Sequence, residues 1–169
     1  MLLLHRQLGR ACRVFRGCFD PGLDISARAV ELASRNAALN GVAERVSFEE
    51  CDVFERLRSL KHEGKKFGVI VMDPPAFVKS RKQIAEATKG YLTVNRRALE
   101  LLEPGGYLIT CSCSFHMGRE AFREMLITAA RLAKREVRLV ATCSQAPDHP
   151  VLLSFPESEY LKCFVLQVI

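Results

Sequence analysis

Two short segments carry the side chains with the most obvious chemistry. Residues 69–77 form an apolar run that ends in Asp73-Pro74-Pro75, and residues 110–114 contain Cys111 and Cys113. Two prolines fix φ and supply no N–H, so a strand that reaches them must stop there. In an open parallel sheet, ligands bind just beyond the carboxyl ends of the strands. A carboxylate, a rigid turn and a thiol at that edge would suit nucleophilic chemistry on a nucleobase.

Strands and helices alternate along the rest of the chain and must position these segments. Helical spacing of apolar residues predicts helices over 27–40, 53–62 and 90–102, with another inside 115–134. Short apolar runs predict strands at 23–25, 45–48, 67–72, 107–111, 137–142 and 163–169. Residues 74–88 are polar and basic, which predicts a substrate-side loop, and 104–106 predict a tight turn. The alternation predicts an α/β sheet with an antiparallel strand at the carboxyl end.

Composition and charge narrow the class of protein. At 169 residues and 49% hydrophobic, the chain has room for a single soluble domain, and no apolar stretch is long enough to span a bilayer. The net charge of +6 fits either a solvated surface or a polyanionic partner. Clustering of basic residues favours the polyanionic partner. Four basic residues follow the double proline: Lys79, Arg81, Lys82 and Lys89.

The seven cysteines indicate a reducing compartment. Their number is odd, they form no Cys-x-x-Cys pair, and no histidine lies at a metal-ligand spacing from them. This pattern predicts neither a metal site nor a disulfide framework, and it favours a cytoplasmic location. Most of these cysteines are expected to be small buried hydrophobic residues.

Three aspartates, Asp24, Asp52 and Asp73, lie at or just past predicted strand ends. Such an acid commonly holds ribose hydroxyls, but Asp24 beside Ser26 could equally supply a helix N-terminal charge. Asp52 could bind an adenine amine or simply begin the helix over 53–62. Asp73 closes an apolar run directly before two prolines, which favours a functional role.

Several short segments together resemble a known family. Asp24-Ile-Ser, Ala33–Asn36 with Asn40-Gly41, Asp52-Val-Phe54 and Asp73-Pro-Pro-Ala-Phe77 resemble class I S-adenosylmethionine-dependent methyltransferases. Further segments resemble, within that class, the bacterial large-subunit rRNA cytosine-5 methyltransferases of the RlmI type: Gly90-Tyr91, Pro104-Gly-Gly106, Ser112-Cys113-Ser114, Asp148-His149-Pro150 and Tyr160-Leu-Lys162. The resemblance covers about residues 23–169. It implies a Rossmann-like, doubly wound and mostly parallel sheet, S-adenosylmethionine as cofactor, and RNA as substrate.

The resemblance also implies a role for each matching residue on the cofactor side. Asp24 with Ile25 would hold the cofactor ribose, and Asp52 with Val53 the adenine amine. Asp73 would lie where cofactor and substrate meet. On the substrate side it implies four further contacts: Pro74, Pro75, Phe77 and Lys79.

In this family's reaction Cys113 would be the nucleophile. C5 of cytosine reacts poorly until a thiolate adds at C6, and Asp73 would stabilise the adduct by sharing a proton with N3. A buried structural Cys113 is the alternative, and Cys111, two residues earlier, is expected to be a packed neighbour.

The amino end departs from the family pattern. We expect residues 1–22 to be an atypical segment before a truncated catalytic domain over 23–169, with the glycine loop after the first strand missing or replaced. We therefore expect weak cofactor binding. Two alternatives to cytosine methylation stay open, namely an exocyclic-amine methyltransferase and an inactive fragment that only binds RNA. No membrane or metal partner is predicted.

Overall fold

The described residues, 22–76 and 84–169 of the computed structural model, alternate between strands and helices. In chain order the elements are β1 (Gly22–Asp24), α1 (Ala27–Leu39), β2 (Phe48–Glu50), α2 (Val53–His62), β3 (Phe67–Met72), α3 (Ile84–Leu101), β4 (Leu102–Ser112), α4 (Arg119–Ala133), β5 (Val137–Cys143), a short 3-10 helix (Pro156–Ser158) and β6 (Lys162–Val168). The chain divides into two compact units, with the boundary after Arg56.

In the first unit, β1 and β2 form a short parallel pair connected through α1. The side chain of Ser26 accepts a hydrogen bond from the Ala29 N–H at 3.3 Å, and Gly41 has a φ of +66°, so the predicted cap and stop of α1 are both confirmed. The strand predicted at 45–48 begins later, at Phe48. The reason is that the Arg45 N–H closes a turn on the Val42 carbonyl at 3.0 Å.

In the second unit, four strands form one sheet in the order β3-β4-β6-β5. β3 and β4 are parallel, whereas β6 is antiparallel to both of its neighbours, β4 and β5. Three of the four strands therefore share one direction, and the last one opposes them. This confirms the mostly parallel sheet with an antiparallel carboxyl-terminal strand.

Helices α3 and α4 supply the core of this unit. The predicted inner face of α4, consisting of Phe122, Met125, Leu126 and Ala129, is buried throughout. The ring of Tyr91 on α3 meets that of Phe122 edge-on, with centroids 5.7 Å apart. Alternate residues of β4 are buried on one face, so this face of the sheet carries the core.

The structure corrects two predictions of element boundaries. Helix α3 begins at Ile84, so the predicted loop over 74–88 is too long: its last residues, 84–88, belong to a helix whose Ala87 is buried. Strand β4 begins at Leu102 and not at 107, because Phe67 pairs with Leu102 whereas Val69 pairs with Tyr107. The predicted turn at 104–106 is therefore an insertion inside the ladder.

Within the described part of the chain, no helix is both long and apolar enough to cross a membrane.

Candidate active site at the rim of the sheet

The parallel strands β3 and β4 bring Asp73 and Cys113 to one edge of the sheet. Met72 pairs with Thr110, so β3 ends opposite Thr110 and β4 continues two residues further, to Ser112. Asp73 follows β3 directly, and Cys113 follows β4 directly. The two side chains are close enough for the Asp73 carboxylate to raise the pKa of the Cys113 thiol. Phe77 and Lys79, which were predicted to contact substrate, lie outside the described residues.

A buried tyrosine ties the two turns at this edge together. The Tyr91 hydroxyl lies 3.4 Å from the Pro75 carbonyl oxygen, which accepts from it, and 3.0 Å from Ser114 Oγ. Ser112 Oγ donates to the same hydroxyl at 3.1 Å. Tyr91, Ser112 and Ser114 all have exposures of 0%. The double-proline turn and the turn that carries Cys113 therefore share one hydrogen-bonded anchor.

A second buried pair fixes α3 against β4. Asn95 Nδ2 donates to the Tyr91 carbonyl at 2.8 Å, and Thr110 Oγ1 donates to Asn95 Oδ1 at 2.6 Å. Asn95 and Thr110 are both fully buried. Because buried polar groups are costly without partners, this pair allows few other arrangements of helix and strand.

Lys162 is a site residue to which the sequence reasoning gave no role. It is 7% exposed, at the first position of β6, and its ammonium donates to the carbonyls of Ser114 and Tyr160, both at 2.7 Å. Burial lowers its pKa, and the nearby Cys113 opposes that shift. Two features of the sequence could have indicated a role for Lys162. It is a lone lysine at the start of an apolar strand, and it belongs to the segment 160–162 that carries part of the family resemblance. We call Asp73, Cys113 and Lys162 together the rim site.

Opposing influences act on the Cys113 thiol. Burial and the charge of Asp73 raise its pKa, whereas its own backbone N–H and the Lys162 ammonium lower it. The net result is a pKa above the ordinary value of 9.0. The resting thiol is therefore protonated at neutral pH, and any change that neutralises Asp73 would make the thiolate easier to form.

The acids predicted to hold a cofactor lie in the first unit. Asp24 is buried, and its Oδ1 accepts from the Ser26 N–H at 2.9 Å. Asp52 is exposed, and its Oδ1 accepts from the N–H groups of Phe54 at 2.7 Å and Glu55 at 3.3 Å, so it caps α2. Both acids thus make the local bonds expected of helix-initiating residues.

The neighbours of these acids differ in exposure. Ile25 is 70% exposed, whereas Val53 is half-buried. In the second unit Pro74 is buried and Pro75 exposed, so the turn presents only one of its two rings to solvent.

A cavity of about 380 Å³ in the second unit contains none of the predicted site residues. Its lining includes Arg58, Lys61, Arg96 and Glu100, and the Glu100 carboxylate accepts from Lys61 at 2.8 Å and from Arg96 at 3.0 Å. We assign it no role in the chemistry of the rim site. Among residues 22–76 and 84–169, no cluster of His, Cys, Asp and Glu is placed to hold a metal ion.

Comparisons with known proteins identify close relatives. Ribosomal RNA large subunit methyltransferase I of Erwinia tasmaniensis is 44% identical over 148 residues, and that of Shewanella denitrificans 45% over 147 residues. The matches cover 87% and 86% of this chain but 37% of each relative, so the chain spans well under half the length of these relatives.

The fold has relatives among solved structures. A proposed methyltransferase complexed with SAH superimposes with a TM-score of 0.74 at 22% identity, over 86% of this chain and 38% of that one. A family described as a methyltransferase domain matches residues 10–151, which is most of the chain. With its Rossmann-like α/β fold and this match, the chain belongs to the methyltransferase domain family.

Proposed function

We propose that this chain contributes the catalytic domain, residues 23–169, of an S-adenosylmethionine-dependent enzyme that methylates C5 of a cytosine in large-subunit ribosomal RNA. The observation that carries the proposal is the thiol of Cys113 beside an acid and a buried ammonium. The two relatives named as large-subunit rRNA methyltransferases support RNA as the substrate, and the net charge of +6 is consistent with a polyanion.

Cys113 would act as the nucleophile. Its thiolate would add to C6 of the cytosine, and the added electron density would make C5 reactive toward a methyl donor. The nearby Lys162 ammonium favours the thiolate over the thiol. Because Lys162 is held by two carbonyls at 2.7 Å, its charge stays at a fixed place relative to the turn.

Asp73 would link substrate binding to thiolate formation. In the free protein burial raises the pKa of Cys113, and the charge of Asp73 raises it further, so the thiol is protonated. If Asp73 and N3 of a bound cytosine share a proton taken up from solvent, that charge is neutralised, and the pKa of Cys113 would fall when the base is bound. The nucleophile would therefore be activated by its own substrate and would be less reactive at other times.

The acids of the first unit fit the polar parts of S-adenosylmethionine. Asp24 uses Oδ1 for the Ser26 N–H, and its second carboxylate oxygen remains a suitable acceptor for a ribose hydroxyl. Asp52 carries the carboxylate that an adenine amine would need, and Ile25 and Val53 would contact the flat adenosine surface. When bound, this cofactor supplies a methyl group on a sulfonium centre. Calorimetric titration of residues 1–169 with S-adenosylmethionine tests this site: saturable binding would support it, and the absence of binding would contradict it.

The covalent step has a direct test. RNA that contains 5-fluorocytosine should give a denaturation-resistant protein–RNA adduct in the presence of saturating S-adenosylmethionine, because fluorine at C5 blocks the elimination step. Cys111→Ala is the matched control, since Cys111 lies only two residues earlier, on β4. We expect the adduct in the unaltered chain and in Cys111→Ala, but not in Cys113→Ala.

Other outcomes identify the alternatives. If the adduct were lost only in Cys111→Ala, then Cys111 and not Cys113 would be the nucleophile. Transfer of labelled methyl groups to RNA that survives Cys113→Ala would indicate methylation of an exocyclic amine, which needs no thiol. RNA binding without any transfer, at a cofactor concentration shown to saturate, would indicate an RNA-binding module.

A further inference from the structure

Three cysteines lie side by side across the sheet of the second unit. Cys111 on β4 pairs with Cys163 on β6, and Cys163 in turn pairs with Cys143 on β5. Directly paired residues of neighbouring strands have side chains on the same face. Cys111, Cys163 and Cys143, which we call the thiol row, therefore present three sulfurs on one face, although 52 and 20 positions of sequence separate them.

The backbone pattern distinguishes the two pairs of the row. In an antiparallel strand with partners on both sides, successive residues direct their N–H and C=O groups to alternate sides. The Ile169 N–H donates to the Glu136 carbonyl, so odd-numbered residues of β6, including Cys163, bond toward β5. The register irregularity lies on β5, between Leu139 and Ala141, and does not interrupt this alternation along β6.

It follows that Cys111 and Cys163 form a non-hydrogen-bonded pair. Such pairs have Cα atoms about 4.5 Å apart and side chains closer than in hydrogen-bonded pairs. A disulfide needs Cα atoms about 4.4–6.8 Å apart, with Cβ atoms closer than most cross-strand pairs allow. Of the two pairs in the row, Cys111 and Cys163 therefore need the smaller adjustment to bond.

We propose that the thiol row is an oxidisable site in which hydrogen peroxide closes a reversible disulfide between Cys111 and Cys163. All five described cysteines are free thiols in the structure, so this bond would be a modification of the folded protein. Cys143 is exposed, Cys111 is partly exposed and Cys163 is buried, and β5 lies at one edge of the sheet, so a small oxidant would reach the row from its exposed members.

The electrostatics of the row indicate which sulfur attacks. The Cys111 thiol hydrogen-bonds to Cys163 and lowers its pKa, burial opposes this, and the Cys143 thiol adds to the lowering. The same bond raises the pKa of Cys111, which acts as the donor. Since the thiolate is the reactive form, these influences favour Cys163 as the nucleophile, with Cys111 as the thiol that resolves the intermediate; exchange of the two roles would give the same disulfide.

The reaction balances in two steps. The Cys163 thiolate attacks one peroxide oxygen, the O–O bond breaks, and the departing hydroxide takes a proton to become water, which leaves a sulfenic acid on Cys163. The Cys111 sulfur then attacks the Cys163 sulfur, the S–O bond breaks, and the hydroxyl leaves as a second water with the Cys111 proton. Two thiols are oxidised and one peroxide is reduced to two waters.

Peptide mapping tests the proposal on the chain of residues 1–169. The reduced protein is treated with hydrogen peroxide, its remaining thiols are blocked with N-ethylmaleimide, and it is digested with trypsin without reduction. Cleavage after Arg97, Arg119, Arg138 and Lys162 separates the row into three peptides, 98–119, 139–162 and 163–169. We expect 98–119 linked to 163–169 as the main product, absent before peroxide and lost again with dithiothreitol.

Two variants identify the partner within peptide 98–119, which contains both Cys111 and Cys113. The linked product should persist in Cys113→Ala and disappear in Cys111→Ala, whereas the reverse would overturn the assignment. A product linking 163–169 to 139–162 would make Cys143 the partner and would also overturn it. Peroxide added in guanidinium should give mixed linkages, so the same main product there would mean that the fold does not select the pair. No linked peptide after peroxide has been consumed would refute the oxidisable site.

Discussion

Replacement of Tyr91 by phenylalanine should lower the free energy of unfolding by about 2 kcal/mol. The substitution keeps the ring and its edge-on contact with Phe122, and it removes only the hydroxyl. The Ser112 hydroxyl, which is 0% exposed, would lose the acceptor to which it donates. An unsatisfied buried donor of this kind costs about 1–3 kcal/mol. Ser114 would lose one partner, a smaller loss of roughly 0.5–1.5 kcal/mol. Relaxation of the turn offsets part of this sum.

Chemical denaturation followed by far-ultraviolet circular dichroism measures this loss, since the chain has no tryptophan. Tyr107→Phe is the matched control, because Tyr107 lies at a partly exposed position of β4 and should change stability by less than about 0.5 kcal/mol. An equally small effect of Tyr91→Phe would refute the reasoning. It would mean that the buried hydroxyls find other partners at no cost.

Three further substitutions test other parts of the second unit. Lys162→Met should raise the pKa of Cys113 further, and the pH profile of its alkylation, followed by mass spectrometry, should shift upward; an unchanged profile would contradict the role of the ammonium. Gly106→Ala should cost about 1–3 kcal/mol, because its Cβ would lie 2.9 Å from a backbone carbonyl oxygen, whereas Gly68→Ala, with open space around it, should cost much less. Glu100→Gln should destabilise the protein at neutral pH, because salt bridges hold the pKa of Glu100 below its ordinary 4.5 in spite of burial. That difference in stability should shrink as the pH falls below 4.5 and vanish below the folded pKa, and a pH-independent difference would contradict it.

The elements that end at a clear helix- or strand-breaking residue could be predicted from the sequence. The helix at Val53–His62 and the strand at Phe67–Met72 have the predicted bounds, since a glycine or a proline pair ends each pattern. The start of α3 was predicted too late, because composition was averaged over the whole of 74–88, although its last residues, Ile84-Ala-Glu-Ala-Thr88, are mostly apolar. Strand β4 was predicted too short, because an insertion within a ladder has the same glycine and proline signal as a turn.

The candidate site was predicted only in part. Asp73 and Cys113 follow apolar runs, so their common edge follows from strand order. Lys162 contacts the Ser114 carbonyl across 48 positions of sequence, and no local pattern reports such a contact. The thiol row depends on the register of three strands, and a slip of one residue would turn a thiol to the opposite face.

The position of β6 in the sheet has a consequence for the synthesis of the chain. β6 follows every other described strand in sequence, yet it lies between β4 and β5. On a ribosome, β5 would therefore emerge with no neighbour in the sheet and would wait for β6 before it could pair. Lys162, the first residue of β6, reaches the rim site in the same event. A nascent chain stalled before residue 162 would carry Asp73 and Cys113 without the ammonium beside them, so closure of the sheet and completion of the rim site coincide.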